Sequence, residues 1–362
     1  MPKHIVTLPR TSGMDLDIVS YGRRGPGGSL HLNPDQVEQV KRTVGRVPEV
    51  MVKVSGGARE SGGAKAHLKY IGRHGKLEIE TDDGMSLLGR DVADRLLSDW
   101  QLDLCRSQYK AKPAAGQKDT RAKLTHNIVL SMPAGTPPEK VLRAAQVFAR
   151  ENFALQYRYA MALHTDQAHP HVHLVVKCEH ETEPGKRLYI RKETLRQWRE
   201  QFALLMREQG VAANATPRQI RGQLKMPSKD PIHHRLRAMR AFQNLPANQR
   251  AERRPPPEST FFRRKVESVA KDLQAGRSSP DSGKERLFVT RGQVEADWLV
   301  TINALRQQGE LALARQVEHF VSSMSPVLTE RELIAAGLRE ALRANRGDRI
   351  RDAKEQSKNR SR

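Results

Sequence analysis

Five of the 13 histidines in this chain fall between positions 164 and 180. In the string Leu163-HTDQAHPHVHLVVK, His171 and His173 stand one residue apart in a run that alternates like a strand, so both rings point to one face. Two imidazoles on an otherwise apolar strand are costly to bury without partners, and one shared cation is a usual solution. His164 closes the preceding predicted strand, seven residues before His171, and a tight connection brings it back against the pair. Three neutral imidazoles leave a divalent ion's charge unreduced and its coordination open, which suits polarisation of a phosphate oxygen; a structural zinc more often has a fourth protein ligand. Asp166 is read as a group that orients a histidine, with general-base action as the alternative, because a carboxylate beside a cation is a weak base. His169, held extended before Pro170, and His180 read as bystanders.

The elements that position these side chains follow from periodicity. Val50–Val54 reads as a strand running into the glycine-rich turn Ser55-GGARESGG, and Ala64–Arg73 as a short helix ending near Gly75. Lys76–Thr81 suggests a strand. Across Arg90–Cys105, Val92, Leu96, Leu97, Trp100 and Leu104 share a helical face. Leu124–Met132 reads as a buried strand, followed by a helix from Pro137 capped by Thr136. Tyr157–Leu163, His171–Lys177 and the short Leu188–Arg191 read as strands, and Lys192–Gln209 as a helix with Leu195, Trp198, Phe202 and Leu205 inward. Consecutive strands with occasional long helices predict an α+β fold: a mostly antiparallel central sheet with helices packed on it. Arg291–Ser323 and Thr329–Ala344 look helical, which predicts a helical, basic C-terminal region. The expected organisation is an irregular basic leader at 1–48, an α+β domain at 49–223, a basic linker at 224–283, a helical region at 284–345 and a disordered tail at 346–362.

Charge narrows the function. Of 362 residues, 63 are Lys or Arg and 41 Asp or Glu, a net charge of +22 that points to a polyanion, with nucleic acid first. Residues 217–277 alone hold 15 basic and 5 acidic side chains. Mean hydropathy is −0.67 and no apolar run spans a bilayer, which predicts no membrane insertion. The first residues, Met1-Pro-Lys-His-Ile-Val, lack the apolar stretch of a secretory signal. Cys105 and Cys178, the only cysteines, cannot build a disulfide scaffold, which fits a cytoplasmic protein.

The pattern His164-x-Asp166-x4-His171-x-His173 resembles the third motif of HUH-type relaxases, the nicking enzymes of plasmid mobilisation and conjugation, in the MobP or Ti-plasmid group. AHLKYIGRHG, residues 66–75, is similar to their first motif, where the nucleophilic tyrosine sits. Arg187-LYIRKETLRQWREQFA and Thr216-PRQIRG also look like segments that follow the histidine motif in that group. The resemblance covers roughly residues 50–223.

The resemblance implies a mechanism. Tyr70 attacks one phosphodiester of single-stranded DNA at a transfer origin, giving a 5′-phosphotyrosyl link and a free 3′-hydroxyl. The bond energy is conserved, so the strand can be rejoined. His164, His171 and His173 would hold a divalent metal ion, Mg or Mn, and Arg59, Lys69 and Arg73 would contact phosphate. Accessory relaxosome proteins and a coupling protein are implied partners, and the protein could be carried to a recipient cell attached to DNA. From residue chemistry alone, Tyr70 is equally a helix residue packing beside Leu68 and Ile71. Tyr109, in Gln108-Tyr-Lys, is its rival, and Tyr157, Tyr159 and Tyr189 lie on predicted strands. Two further readings stand beside this one: a replication initiator of the same chemistry, in which the tyrosine typically follows the histidines, and a non-catalytic DNA-binding protein with a structural metal.

Overall fold

The computed structural model describes residues 31–105, 114, 117, 119–223, 242, 245, 246, 249, 250, 255, 260–277, 283–340, 342 and 343. Their contacts separate into two compact units, one of Asn33–Thr216 and one containing the described residues from Pro217 onward together with the stretch up to Leu32.

The first unit is built on one sheet. Its strands are β1 (Met51–Gly56), β2 (Ile79–Thr81), β3 (Ser86–Leu87), β4 (Thr125–Ser131), β5 (Tyr159–His164) and β6 (His171–Lys177), in the order β1-β4-β6-β5-β2-β3. Every pairing is antiparallel. Two-residue periodicity divides the sheet into two faces. On one face Ile128, Leu130, Val172, Leu174, Met161 and Tyr159 pack under helices α4 (Pro138–Phe153) and α5 (Lys192–Glu208), with Phe148, Phe153, Trp198 and Phe202 meeting edge to face. On the other, Ala160, Ala162 and Val175 pack under α2 (Ser61–Ile71) and α3 (Val92–Asp99). The α+β expectation holds.

Helix α2 follows from its spacing. Ala64, Leu68 and Ile71 form one buried stripe, and the chain turns at Gly72, whose N–H donates to the Leu68 carbonyl. Gly57, just before it, has φ +149°, and a Cβ there would lie 2.2 Å from the Thr125 carbonyl oxygen, so only glycine fits.

Several local expectations change. A helix, α1 (Pro34–Val44), forms within the stretch read as an irregular leader, capped by Asn33 and Gln36, and belongs to the sheet's unit. Helix α2 begins three residues early, inside the stretch read as a turn. Thr136 does not cap α4; its hydroxyl donates to the Pro133 carbonyl instead. The helix predicted through Cys105 stops at Asp99, because Gln101 adopts φ 50° and redirects the chain; Leu102 is then buried and Leu104 exposed. Leu188–Arg191 is not a strand: both edges of β6 are taken by β4 and β5, and only a single bridge, Glu179 to Arg187, forms beyond its end.

The second unit is helical: α6 (Thr260–Gln274), α7 (Lys284–Gln307) and α8 (Leu311–Ser322), with residues 330–340 also helical. The predicted single helix over 291–323 is broken at Gly309, φ 82°. Trp298 anchors this unit, stacked edge-on to Phe320 with its indole N–H donating to the Ile220 carbonyl at 2.9 Å.

Candidate active site

The sheet's register brings the three histidines together. Within β6, His171 and His173 share a face; His171 is paired with His164 of β5, and His173 with Ala162. Each of the three offers a ring nitrogen within 4.8 Å of the others. The six-residue connection between β5 and β6 is what returns the chain so tightly.

Hydrogen bonds fix two of the rings. The Nε2–H of His164 donates to the Ile71 carbonyl at 2.7 Å, the last residue of α2, which leaves Nδ1 with its lone pair. That lone pair accepts from Arg73 Nη2 at 3.1 Å. The Nδ1–H of His171 donates to the His169 carbonyl at 3.0 Å, so its Nε2 is the free donor. His169 therefore contributes its backbone rather than its ring. Neither ring nitrogen of buried His173 meets a partner among the described residues. Burial, reinforced by the neighbouring histidines, pushes His173 down to about 3, and burial also lowers His164. A neutral, buried, unpartnered imidazole is a poor core residue and a good metal ligand, so this donor set fits a divalent ion.

Tyr70 comes to the cluster from α2. It is 44% exposed, and its ring centroid lies 5.6 Å from that of His173 and 6.1 Å from that of His164. Arg73 completes the group. Its φ of 50° swings the side chain back over α2, where the guanidinium lies 5.2 Å from the Tyr70 ring centroid and bonds His164 and Asp166. Asp166 meets His164 through Arg73, whose Nη2 donates to both. Half-exposed on the β5–β6 connection, it accepts from Arg73 at 2.5 Å, and the tautomers it was expected to fix are set by the Ile71 and His169 carbonyls. Burial raises Asp166, but the hydrogen bond and charge of Arg73 together hold it below the usual carboxylate value.

Two predicted phosphate contacts are not brought here. Lys69 faces α3, 4.0 Å from Asp94. Arg59 donates to the Arg121 carbonyl at 2.8 Å, beside Asp119. Among the rival tyrosines, Tyr157 and Tyr159 are buried, Tyr189 is exposed outside any strand, and Tyr109 lies outside the described residues. Both cysteines are buried and pushed by that burial to about 12. His180 packs on Tyr157 and accepts backbone N–H groups, away from the cluster.

Sequence reasoning missed His67. It lies one turn before Tyr70 on α2, stacked on it at 5.8 Å, and 6.1 Å from His173. Its three-residue spacing from Tyr70 was the available signal.

Residues 91–211 match the family described as Relaxase: MobA/VirD2-like, nuclease domain. The histidine cluster falls inside that span. This stretch of the chain is similar to a MobA/VirD2-like relaxase nuclease domain. The chain is also similar to T-DNA border endonucleases VirD2. The Rhizobium radiobacter protein is 27% identical over 186 residues, 48% of this chain and 42% of that one. The Rhizobium rhizogenes protein is 30% identical over 118 residues, 30% and 26% of the two chains. The protein of Agrobacterium fabrum (strain C58 / ATCC 33970) is 27% identical over 188 residues, 49% and 41%. The chain thus spans less than half the length of these relatives. A solved chain from work on the molecular basis of vancomycin resistance transfer in Staphylococcus aureus aligns over 47% of this chain and 98% of its own, at 12% identity and a TM-score of 0.31, too low to establish a shared fold.

Proposed function

We propose that this protein nicks and rejoins one strand of DNA at a transfer origin, for plasmid mobilisation or conjugation, through a covalent bond to Tyr70. The observation that carries this reading is the meeting of one exposed phenol with three buried histidines, one of them unpartnered. A purely structural metal site has no use for an exposed tyrosine beside it.

Tyr70 Oη forms the new bond to phosphorus while the bond from phosphorus to the 3′-oxygen breaks. The phenolic proton is lost and the departing 3′-oxygen takes one up, so the products are a 5′-phosphotyrosyl ester and a 3′-hydroxyl. Arg73, over the ring of Tyr70, is placed to counter the charge of the phosphate and of the developing phenolate. Asp166 holds that guanidinium in place. The Ile71 and His169 carbonyls hold His164 and His171 in tautomers with one lone pair each; that of His171 is open to a metal, and that of His164 would pass from Arg73 to the ion. A divalent ion, Mg or Mn, held by His164, His171 and His173, would supply Lewis-acid polarisation of a non-bridging phosphate oxygen.

The substrate is single-stranded DNA, with accessory relaxosome proteins and a coupling protein as partners. The protein would work in the cytoplasm and travel to a recipient while bound to its strand. Among the described residues no helix is long and apolar enough to cross a membrane. Residues 49–223 would form the nuclease domain. Of the remaining segments, much of 224–283, all of 346–362 and the leader up to residue 30 lie outside the described residues.

The test is covalent capture. The protein, labelled single-stranded DNA spanning a transfer origin and Mn²⁺ are mixed and run on a denaturing gel. A protein–DNA adduct that vanishes in Tyr70→Phe is expected. An adduct that persists in Tyr70→Phe would move the nucleophile to Tyr109. Cleavage without adduct would mean a water nucleophile.

A further inference from the structure

Helix α7 is apolar on two sides. Its inner side carries Val294, Trp298, Ile302 and Leu305, all buried, and meets α8 through the contact of Trp298 with Phe320. Its outer side carries Phe288, Val289, Leu299 and Val300, which are 47–62% exposed. At about 3.6 residues per turn, these four and the exposed Gly292 and Ala296 share one stripe, opposite the buried one. A helix that is apolar all round is normally covered all round, and this one is covered on its inner side alone.

Gly292 points to close approach by another backbone. Glycine within a helix weakens it, and the fold gives no packing reason for this one: nothing lies within 4 Å of where its Cβ would be. With Ala296 one turn on, it leaves a shallow saddle into which a second helix can settle.

The order of the stripe says which helix. It reads the same from both ends about residue 294: a large pair, a small residue, a small residue, a large pair. Phe288 and Leu299, three turns apart, run along one edge, and Val289 and Val300 along the other. A second α7 laid antiparallel across a two-fold axis at residue 294 sets Phe288 against the partner's Leu299, Val289 against the partner's Val300, and Gly292 against the partner's Ala296. Self-complementarity of this kind is what a two-fold interface requires, and a partner of another sequence gives no reason for it. Antiparallel pairing also opposes the two helix dipoles. Other occupants fit less well. No lysine or arginine lies within the stripe, so it offers DNA no grip; Lys284, a turn before it, is held by Glu332 and the Phe288 ring. The borders carry Gln293 and Glu295, where a helix lying on a membrane presents cations.

We propose that the outer side of α7 is a dimer interface, in which two copies of this chain pair antiparallel about residue 294. This goes beyond the nuclease reading and does not rest on it. The stripe is about 20 Å long, a small interface, so the dimer is reversible and its population follows protein concentration.

The test is sedimentation equilibrium of the full chain, free of DNA, over micromolar concentrations and at high salt, which screens the repulsion between two chains of charge +22. The wild type should show a monomer–dimer equilibrium. Leu299→Glu, which sets a charge against the partner's Phe288, should raise the dissociation constant by at least about tenfold. Gly292→Lys should do the same while circular dichroism shows helicity kept or increased, since its side chain enters open space and lysine is the better helix former. For the orientation, Gly292→Cys chains are mixed with Ala296→Cys chains and oxidised with copper phenanthroline. They should link to each other in preference to themselves, with the buried Cys105 and Cys178 taking no part. A wild type that stays monomeric throughout, a dimer undiminished in both variants, or Gly292→Cys chains that link mainly to themselves would each overturn the proposal.

Discussion

His173 is the side chain on which the proposed chemistry turns. In the metal-free protein it is a buried ring with nothing to bond, so removing it should cost little folding stability. His173→Ala is therefore expected to melt near the wild type, or above it, without metal. Mn²⁺ is expected to raise the melting temperature of the wild type and not that of the variant; thermal melts with and without Mn²⁺ would show both. A second buried imidazole makes a different prediction. Burial, with help from Lys123, holds His126 at about 4 in the folded chain, against about 6.5 for a free imidazole. Between those values the unfolded chain binds more protons, so this contribution to stability is whole above pH 6.5 and is lost as the pH falls toward 4. A melting-temperature series over that range should fall, and fall less in His126→Gln. At this scale the sequence was legible where type and spacing coincide. His171 and His173 share a face by parity alone, and Tyr70 was reachable from its motif. Asp166 reaches His164 only through Arg73, whose Nη2 donates to both, a link that spacing in the sequence does not show. Nothing in a one-dimensional string says that a left-handed backbone at Arg73 will swing its side chain back over α2.

Among the elements, α2 and the turn before it set where Tyr70 stands. The Gly57 conformation is closed to side chains, with the Thr125 carbonyl oxygen 2.2 Å from where a Cβ would be. Gly57→Ala should destabilise the fold by more than about 1 kcal/mol, read by urea unfolding, and a loss of less than that would show that the turn can shift. Leu68 stands in contrast: fully buried, it anchors α2 to the sheet through packing alone. The strands were legible because they are central and apolar, β4 and β6 above all. The failures fall where tertiary context decides. Gln101 breaks a helix that periodicity would continue, Leu188–Arg191 finds no free edge beside β6, and Thr136 bonds backward into its own turn. Helix α1 hides in the stretch that reads as an irregular leader, since its caps, Asn33 and Gln36, become meaningful only once the chain is known to turn there.

For the whole molecule the net charge of +22 sets the expectation. Binding to single-stranded DNA should weaken by about ten- to a hundredfold between 50 and 200 mM salt, measured by fluorescence anisotropy, and a flat response would mean that charge does not carry the affinity. The basic excess was plain from composition, as was a helical C-terminal region; where the chain divides was not, because α1 joins the sheet's unit across a stretch with no strand signal. The order of the strands also matters on the ribosome. Tyr70 emerges early, yet β5 and β6, with all three histidines, are the last strands of the sheet to be made, and β1 has no neighbour until β4 appears. At about 5–20 residues per second, the tyrosine waits roughly 5–20 s for His173 to be synthesised. Under the proposed chemistry a nascent or prematurely terminated chain carries a phenol and no means of using it, so competence to cut arrives only when the sheet is complete.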